Sequence, residues 1–372
     1  MNITLVTKEF SDALQIGGSY AFGGIKRLLP ITECVKIEIK EGVLRIFSTD
    51  GENSISKRYG DIECDDYSFC VQYKDLIEYV KMIDSPHLSI DVSVDDKQVT
   101  ISHDNGSMKL PLYDEKEFPT IPFAEKDDVN YKIDANQLKL WMKIGEPFLT
   151  NDPLKTVNES LYFDFSMEET SFCAGGGSGI IYGFLKGDSG IEQMSSIINK
   201  MNFRNIINAI GNADVVRMWD KENHIMFAAN GVLISVRKMD VKYYNFRNVV
   251  KPCEENNSIK VVVERDELIN AIKRIMVTRD AYNSVRFSLN GSNITLSSNN
   301  LDTAKDASET LKCESTDNID IQISGEKTLK ALYCFQSDKI ILRFKDYSHP
   351  FLIGSDTDYY SALLMPMMLN DK

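Results

Sequence analysis

The chain repeats itself, and the repeat length limits its fold more than any other feature. Segments with apolar residues three and four apart begin near positions 8 (Phe10, Ala13, Leu14), 74 (Leu76, Ile77, Val80, Ile83) and 136 (Leu138, Trp141, Met142). Three more begin near 195 (Ile198, Met201, Ile206, Ile210), 266 (Leu268, Ala271, Ile272, Ile275) and 326 (Leu329, Leu332, Phe335). That spacing lines one face of a helix. Successive starts lie 66, 62, 59, 71 and 60 residues apart, and one sixth of the 372 residues is 62. Each unit is therefore one supersecondary element that buries its apolar face against its neighbours.

Short apolar runs precede the helices: NITLV (2–6), YSFCV (67–71), YKI (131–133), IKVVV (259–263) and IDIQI (319–323). Asp134 with Gln137 forms a capping-box pattern, and Ser324 stands where an N-cap would start the last helix. After the helices come period-two segments: Val35, Ile37 and Ile39; Leu88, Ile90, Val92 and Val94; Leu161, Phe163 and Phe165; Val285, Phe287 and Leu289. These predict half-buried strands. Asn105-Gly106, Asn230-Gly231 and Asn290-Gly291 supply the positive φ of tight hairpins. The predicted unit is βαβββ, an α+β element with its helix on one face of an antiparallel sheet.

Two acidic, turn-rich stretches, 125–130 (EKDDVN) and 251–258 (KPCEENNS), read as linkers. They group the units into three similar domains, 1–125, 126–250 and 251–372, each of two βαβββ units.

Catalytic signatures fail on spacing. The run CAGGGSGII (173–181) lacks the glycine at Ile180 that a dinucleotide fingerprint or a serine-hydrolase elbow requires. SGEKT (324–328) lacks the P-loop glycines, and no nucleophile, base and orienting group assemble. The seven cysteines and four histidines are dispersed, without metal-ligand or disulfide spacing. The expectation is a non-enzyme without cofactor or metal, with free thiols in a reducing cytoplasm and no signal or membrane segment.

A net charge of −13 argues against nucleic acid until it is partitioned. The six helix windows (8–18, 74–84, 136–146, 195–210, 266–280, 326–335) sum to +2, leaving −15 on the rest. Basic residues recur at helical spacing: Lys74 and Lys81, Lys139 and Lys143, Lys200 and Arg204, Lys327 and Lys330. Helices sharing one surface would face a polyanion with it. The alternative is a cytosolic protein-binding scaffold of repeated αβ units, in which those lysines serve solubility.

This repeat, with Glu117-Phe118-Pro119 ending the first domain, VRF…ITLSSNN (285–300) and a closing Leu364-Met365-Pro366-Met367, resembles the bacterial replicative sliding clamp, the β-subunit family of DNA polymerase III. The resemblance spans the whole chain. It implies a head-to-tail homodimeric ring around double-stranded DNA, with helices lining the hole and antiparallel sheets outside. It also implies tethering of the replicative polymerase and placement by a clamp loader, giving processivity. By position it assigns a partner-peptide cleft to Val157, Gly177, Ser178, Gly179, Ile180, Tyr244, Val249, Ser324, Pro350, Leu363, Met365, Pro366 and Met367. The dimer interface falls to Met108 and Leu110 against Met276 and Val277. DNA contact falls to Lys26 or Arg27 and to Asn151, beside the helical lysines and arginine already singled out by charge placement. Where the family carries Thr-Asp-Gly-His/Tyr-Arg, this chain has Gly175 to Gly179, so the resemblance implies apolar anchoring of partners with fewer charged contacts.

Overall fold

The computed structural model describes residues 1–21, 29–121, 131–152, 155–166, 168–186, 193–278, 282–300 and 304–368. Among these, six βαβββ units follow one another. The first is β1 (Asn2–Val6), α1 (Thr7–Gly17), β2 (Cys34–Lys40), β3 (Val43–Thr49) and β4 (Ser54–Asp61). The second is β5 (Tyr67–Gln72), α2 (Tyr73–Val80), β6 (His87–Ser93), β7 (Gln98–His103) and β8 (Gly106–Pro111). The third is β9 (Tyr131–Asp134), α3 (Ala135–Gly145), β10 (Ser160–Ser166), β11 (Glu169–Gly176) and β12 (Gly179–Lys186). The fourth is β13 (Gln193–Asn199), α4 (Phe203–Ile210), β14 (Val215–Asp220), β15 (His224–Ala229) and β16 (Val232–Arg237). After α5 (Arg247–Asn256) comes the fifth: β17 (Ile259–Glu264), α6 (Arg265–Ile275), β18 (Ser284–Asn290), β19 (Asn293–Asn300) and β20 (Lys305–Lys312). Past the two-residue β21 (Glu314–Ser315), the sixth has β22 (Ile319–Ser324), α7 (Gly325–Leu332), β23 (Lys339–Phe344), β24 (Phe351–Gly354) and β25 (Tyr360–Leu364).

Each leading strand leaves its own meander and pairs with that of its neighbour. β1 joins β6-β7-β8 while β5 joins β2-β3-β4, and β13 with β9 and β22 with β17 repeat the exchange. Such reciprocal exchange couples the units two by two. Third meander strands then pair with one another. β4 meets β16 to make an eight-stranded sheet, β5-β2-β3-β4-β16-β15-β14-β9, and β12 meets β25 within a nine-stranded one. The other two sheets keep four strands, and their third meander strands, β8 and β20, are edges.

The chain forms two compact units, Met1–Lys139 with Met201–Lys238, and Leu140–Lys200 with Met239–Lys372. In the first, α1 buries Phe10, Ala13 and Leu14 against Ile37, Leu44 and Ile46 of the sheet. Burial at i, i+3 and i+4 is what an amphipathic helix on a sheet requires. In the second, Trp141 is fully buried, stacks on Phe172 at 5.1 Å and donates its indole N–H to Tyr359 Oη at 2.9 Å. No helix among the described residues is long and apolar enough to cross a membrane.

Three local expectations need correction. The helix expected over 195–210 is strand β13, a 3₁₀ turn (Lys200–Asn202) and α4. Ile198 and Met201 match a helical period but belong to the strand and the turn. The expected linker 251–258 is mostly α5, which tolerates Pro252 and packs through Val250 and Cys253; the other linker, 125–130, lies outside the described residues. Of the Asn-Gly pairs, Asn230-Gly231 has φ of 50° and 71°, and Gly291 has 61°. At 105–106 neither φ is positive: the turn uses Asp104-Asn105, and Gly106 already pairs with His103. Asp134 and Ser324 both act as N-caps, with Asp134 Oδ1 accepting from Gln137 N at 2.8 Å and Ser324 Oγ from Lys327 N at 3.4 Å.

Candidate functional site

Within the second compact unit, the β11–β12 hairpin, α5 and the chain following β25 enclose a cleft of about 280 Å³. It is lined by Asn158, Gly176, Gly177, Gly179, Ile180, Tyr244, Val249, Leu363 and Met365. Its floor follows from strand register: Ile180 lies opposite Leu363 and Gly179 opposite Leu364, and both Ile180 and Leu363 are buried. Val249 and Met365 remain exposed on its walls. Gly175 is a steric necessity, and Gly179 sits tightly under a side chain. A Cβ at Gly175, whose φ is +116°, would lie 2.5 Å from Gly179 O, and one at Gly179 would lie 2.5 Å from Leu364 Cδ2.

Beneath the hairpin, Tyr243 stacks on Tyr162 at 4.8 Å and on Tyr244 at 4.5 Å. Tyr244 Oη donates to Gly175 O at 2.9 Å and Tyr243 Oη to Cys173 O at 3.2 Å, so both phenols are spent on the hairpin backbone. Burial raises both phenols above the ordinary tyrosine value and pushes the Cys173 thiol up to about 12, keeping all three neutral. The cleft has no charged lining side chain among the described residues, and its Met365, Val249, Ile180 and Leu363 suit an apolar anchor.

Seven of the thirteen expected cleft residues line this cavity: Gly177, Gly179, Ile180, Tyr244, Val249, Leu363 and Met365. Val157 packs on the same apolar cluster without lining the opening. Ser178 is at the hairpin tip, where its carbonyl accepts from Met365 N at 3.2 Å. Met367 N donates to Gln322 O at 2.7 Å, pinning the tail around Pro366 to β22. Ser324 caps α7, and Pro350 O accepts from Asn257 Nδ2 at 2.9 Å; neither lines the cavity. Sequence reasoning missed Asn158 and Gly176. The glycine run signalled Gly176; nothing local signalled Asn158.

Among the expected DNA-facing residues, Lys74, Lys81, Lys143, Arg204, Lys327 and Lys330 are exposed on or beside their helices. Lys330 pairs with Glu326 at 3.0 Å, one helical turn away. Lys139 and Lys200 instead bind carbonyls: Lys139 Nζ donates to Gly211 O, and Lys200 Nζ to Thr150 O at 2.6 Å and to Asn151 Oδ1. Lys26 and Arg27 lie outside the described residues.

Of the expected interface residues, one pair sits on the β8 edge and the other in a turn that contacts β20. Met108 and Leu110 are on β8, where Leu110 is buried and Met108 half-buried against the core. Met276 and Val277 are in a 3₁₀ turn (Met276–Thr278) that follows α6. A Cβ at Gly325 would strike Met276 Sδ, whereas Val277 is 80% exposed.

The chain matches the description of the DNA polymerase III β subunit N-terminal domain over residues 1–122 and of its C-terminal domain over 252–368. No curated protein matches it in sequence. Solved structures match over nearly the entire chain. The DNA polymerase III β subunit of Pseudomonas aeruginosa aligns at TM-score 0.89 and 16% identity, covering 99% of this chain and 100% of that one. The β subunit of Thermotoga maritima aligns at 0.87 and 20%, and the polymerase sliding clamp of Bacillus subtilis at 0.90 and 18%, each covering 99% of both chains. The two domain matches together cover well over half of the 372 residues, on the fold those structures share, and the chain belongs to the DNA polymerase III β-subunit family of sliding clamps.

Proposed function

We propose that this chain is a DNA sliding clamp acting as a head-to-tail dimeric ring of six domains, three from each copy, with domains at 1–125, 126–250 and 251–372. Membership of the β-subunit family gives the processivity role. The observation that carries the ring is that two third meander strands, β8 and β20, are sheet edges among the described residues. Every other third meander strand pairs with a third meander strand, β4 with β16 and β12 with β25, leaving β8 and β20. Pairing β8 of one copy with β20 of the next applies the same rule between chains, and two such joints close a ring. Closure also removes two exposed edges that would otherwise invite uncontrolled pairing.

In this reading the exposed Lys74, Lys81, Lys143, Arg204, Lys327 and Lys330, with Asn151, face the duplex. Their contacts need only be weak and salt-sensitive, because a closed ring retains DNA topologically while phosphate contacts exchange during sliding. The cleft between the β11–β12 hairpin and Met365 takes an apolar peptide segment of the polymerase, the loader or another DNA-processing protein. Polymerase so tethered rebinds its primer end at high effective concentration. The chain itself contributes no chemical step. Primer extension on a long single-stranded template, with the cognate polymerase and loader, tests this: the protein should lengthen products by at least an order of magnitude per binding event, and unchanged lengths would refute it.

A further inference from the structure

Resting on that cleft, we propose that Asn158 is its specificity-determining residue, hydrogen-bonding a main-chain amide of the bound peptide and so fixing the peptide's direction and register. Of the described side chains lining the cavity only Asn158 and Tyr244 carry hydrogen-bonding groups, and the Tyr244 hydroxyl is committed to Gly175 O. The Asn158 carboxamide has no partner among the described residues. Its backbone is held on both sides, N–H donating to Lys155 O at 2.8 Å and carbonyl accepting from Thr150 N at 2.9 Å, so the side chain leaves from a fixed point. Gly176 completes the seat. Its φ is outside the left-handed region, yet a Cβ there would overlap the carboxamide, 2.5 Å from Asn158 Cγ. A side chain at 176 would push the carboxamide aside, whereas the turn itself does not call for glycine. A donor and an acceptor side by side in an otherwise apolar cleft complement the N–H and C=O of a peptide, and leaving either unmet on binding is unfavourable.

The test uses the full chain, calorimetry and an acetylated decapeptide carrying a Leu-Phe pair, with singly N-methylated versions of it. Asn158→Ala should bind the decapeptide about tenfold more weakly. Gly176→Ala, which displaces the carboxamide without touching the apolar walls, should lose about as much. N-methylation at one position should weaken binding to the wild-type protein but add no further loss in Asn158→Ala, a coupling that a merely structural role would not produce. Unchanged binding by Asn158→Ala, or full additivity with every N-methyl group, overturns the proposal. If Met365→Ala still weakens binding, the cleft stands without Asn158; if Met365→Ala is also silent, or the wild-type protein does not bind, the cleft reading falls with it.

Discussion

Val277→Asp isolates ring closure from folding. Val277 is 80% exposed in the single chain and lies beside the β20 edge, in the turn that follows α6. An exposed substitution of this kind changes monomer stability by no more than about 0.5 kcal/mol. Met276 is a poorer probe, because its sulfur packs against Gly325. If the turn is covered by the β8 edge of a second copy, the change forfeits valine burial of roughly 1.5–3 kcal/mol and places a carboxylate in a dehydrated joint at a further cost of several kcal/mol. A combined loss of only about 4 kcal/mol per joint weakens association about a thousandfold. Sedimentation velocity at micromolar protein should then show the 42.2 kDa monomer where the wild-type protein sediments at twice that mass. The thermal midpoint measured by circular dichroism should change little beyond the loss of association. A variant that keeps the dimer mass would refute placement of this turn in the joint.

Met365→Ala with Met367→Ala should weaken binding of a polymerase-tail peptide at least tenfold by calorimetry while leaving DNA retention intact; unchanged affinity would remove Met365, and the tail that Met367 pins to β22, from peptide binding. The acid limb of stability has a definite sign. The Arg286 guanidinium, whose Nε lies 2.8 Å from Asp320, holds that carboxyl below the usual range, as Arg274 does for Glu309 and His349 for Asp346. Depressed folded values mean stability present above about pH 4 and lost as pH falls through them. Asp320→Asn should therefore melt lower than the wild-type protein at pH 7, and the gap should narrow progressively as pH falls below about 4; a gap that stays constant down to acid unfolding would contradict the assignment.

The repeat and its βαβββ content were legible because burial on one helix face and one sheet face writes periods of 3.6 and 2 directly into the chain. The failures are also physical. At 195–210 the adjacent Ile197 and Ile198 of β13 are both buried, so the strand loses its alternation and merges with the helical period of α4. α5 was hidden because Pro252 and its acidic neighbours read as a break, and only Val250 and Cys253 turn inward. The exchange of leading strands, and hence which edges stay open, depends on pairings such as Asn2 with Asp91, which no local pattern encodes. Asn158 was invisible for the same reason, since its place, in a 3₁₀ turn (Thr156–Glu159), depends on Gly176 at the end of β11.

Retention on DNA tests encirclement most directly. The protein is loaded on a nicked circular plasmid with a clamp loader, free protein is removed, and the circle is cut once with a restriction enzyme. A ring held by topology stays on the intact circle through high salt and runs off within minutes of linearisation. Retention on the linear molecule would indicate tight direct binding, and failure to associate with the circle would indicate a protein-binding scaffold; either result would contradict the sliding-clamp account.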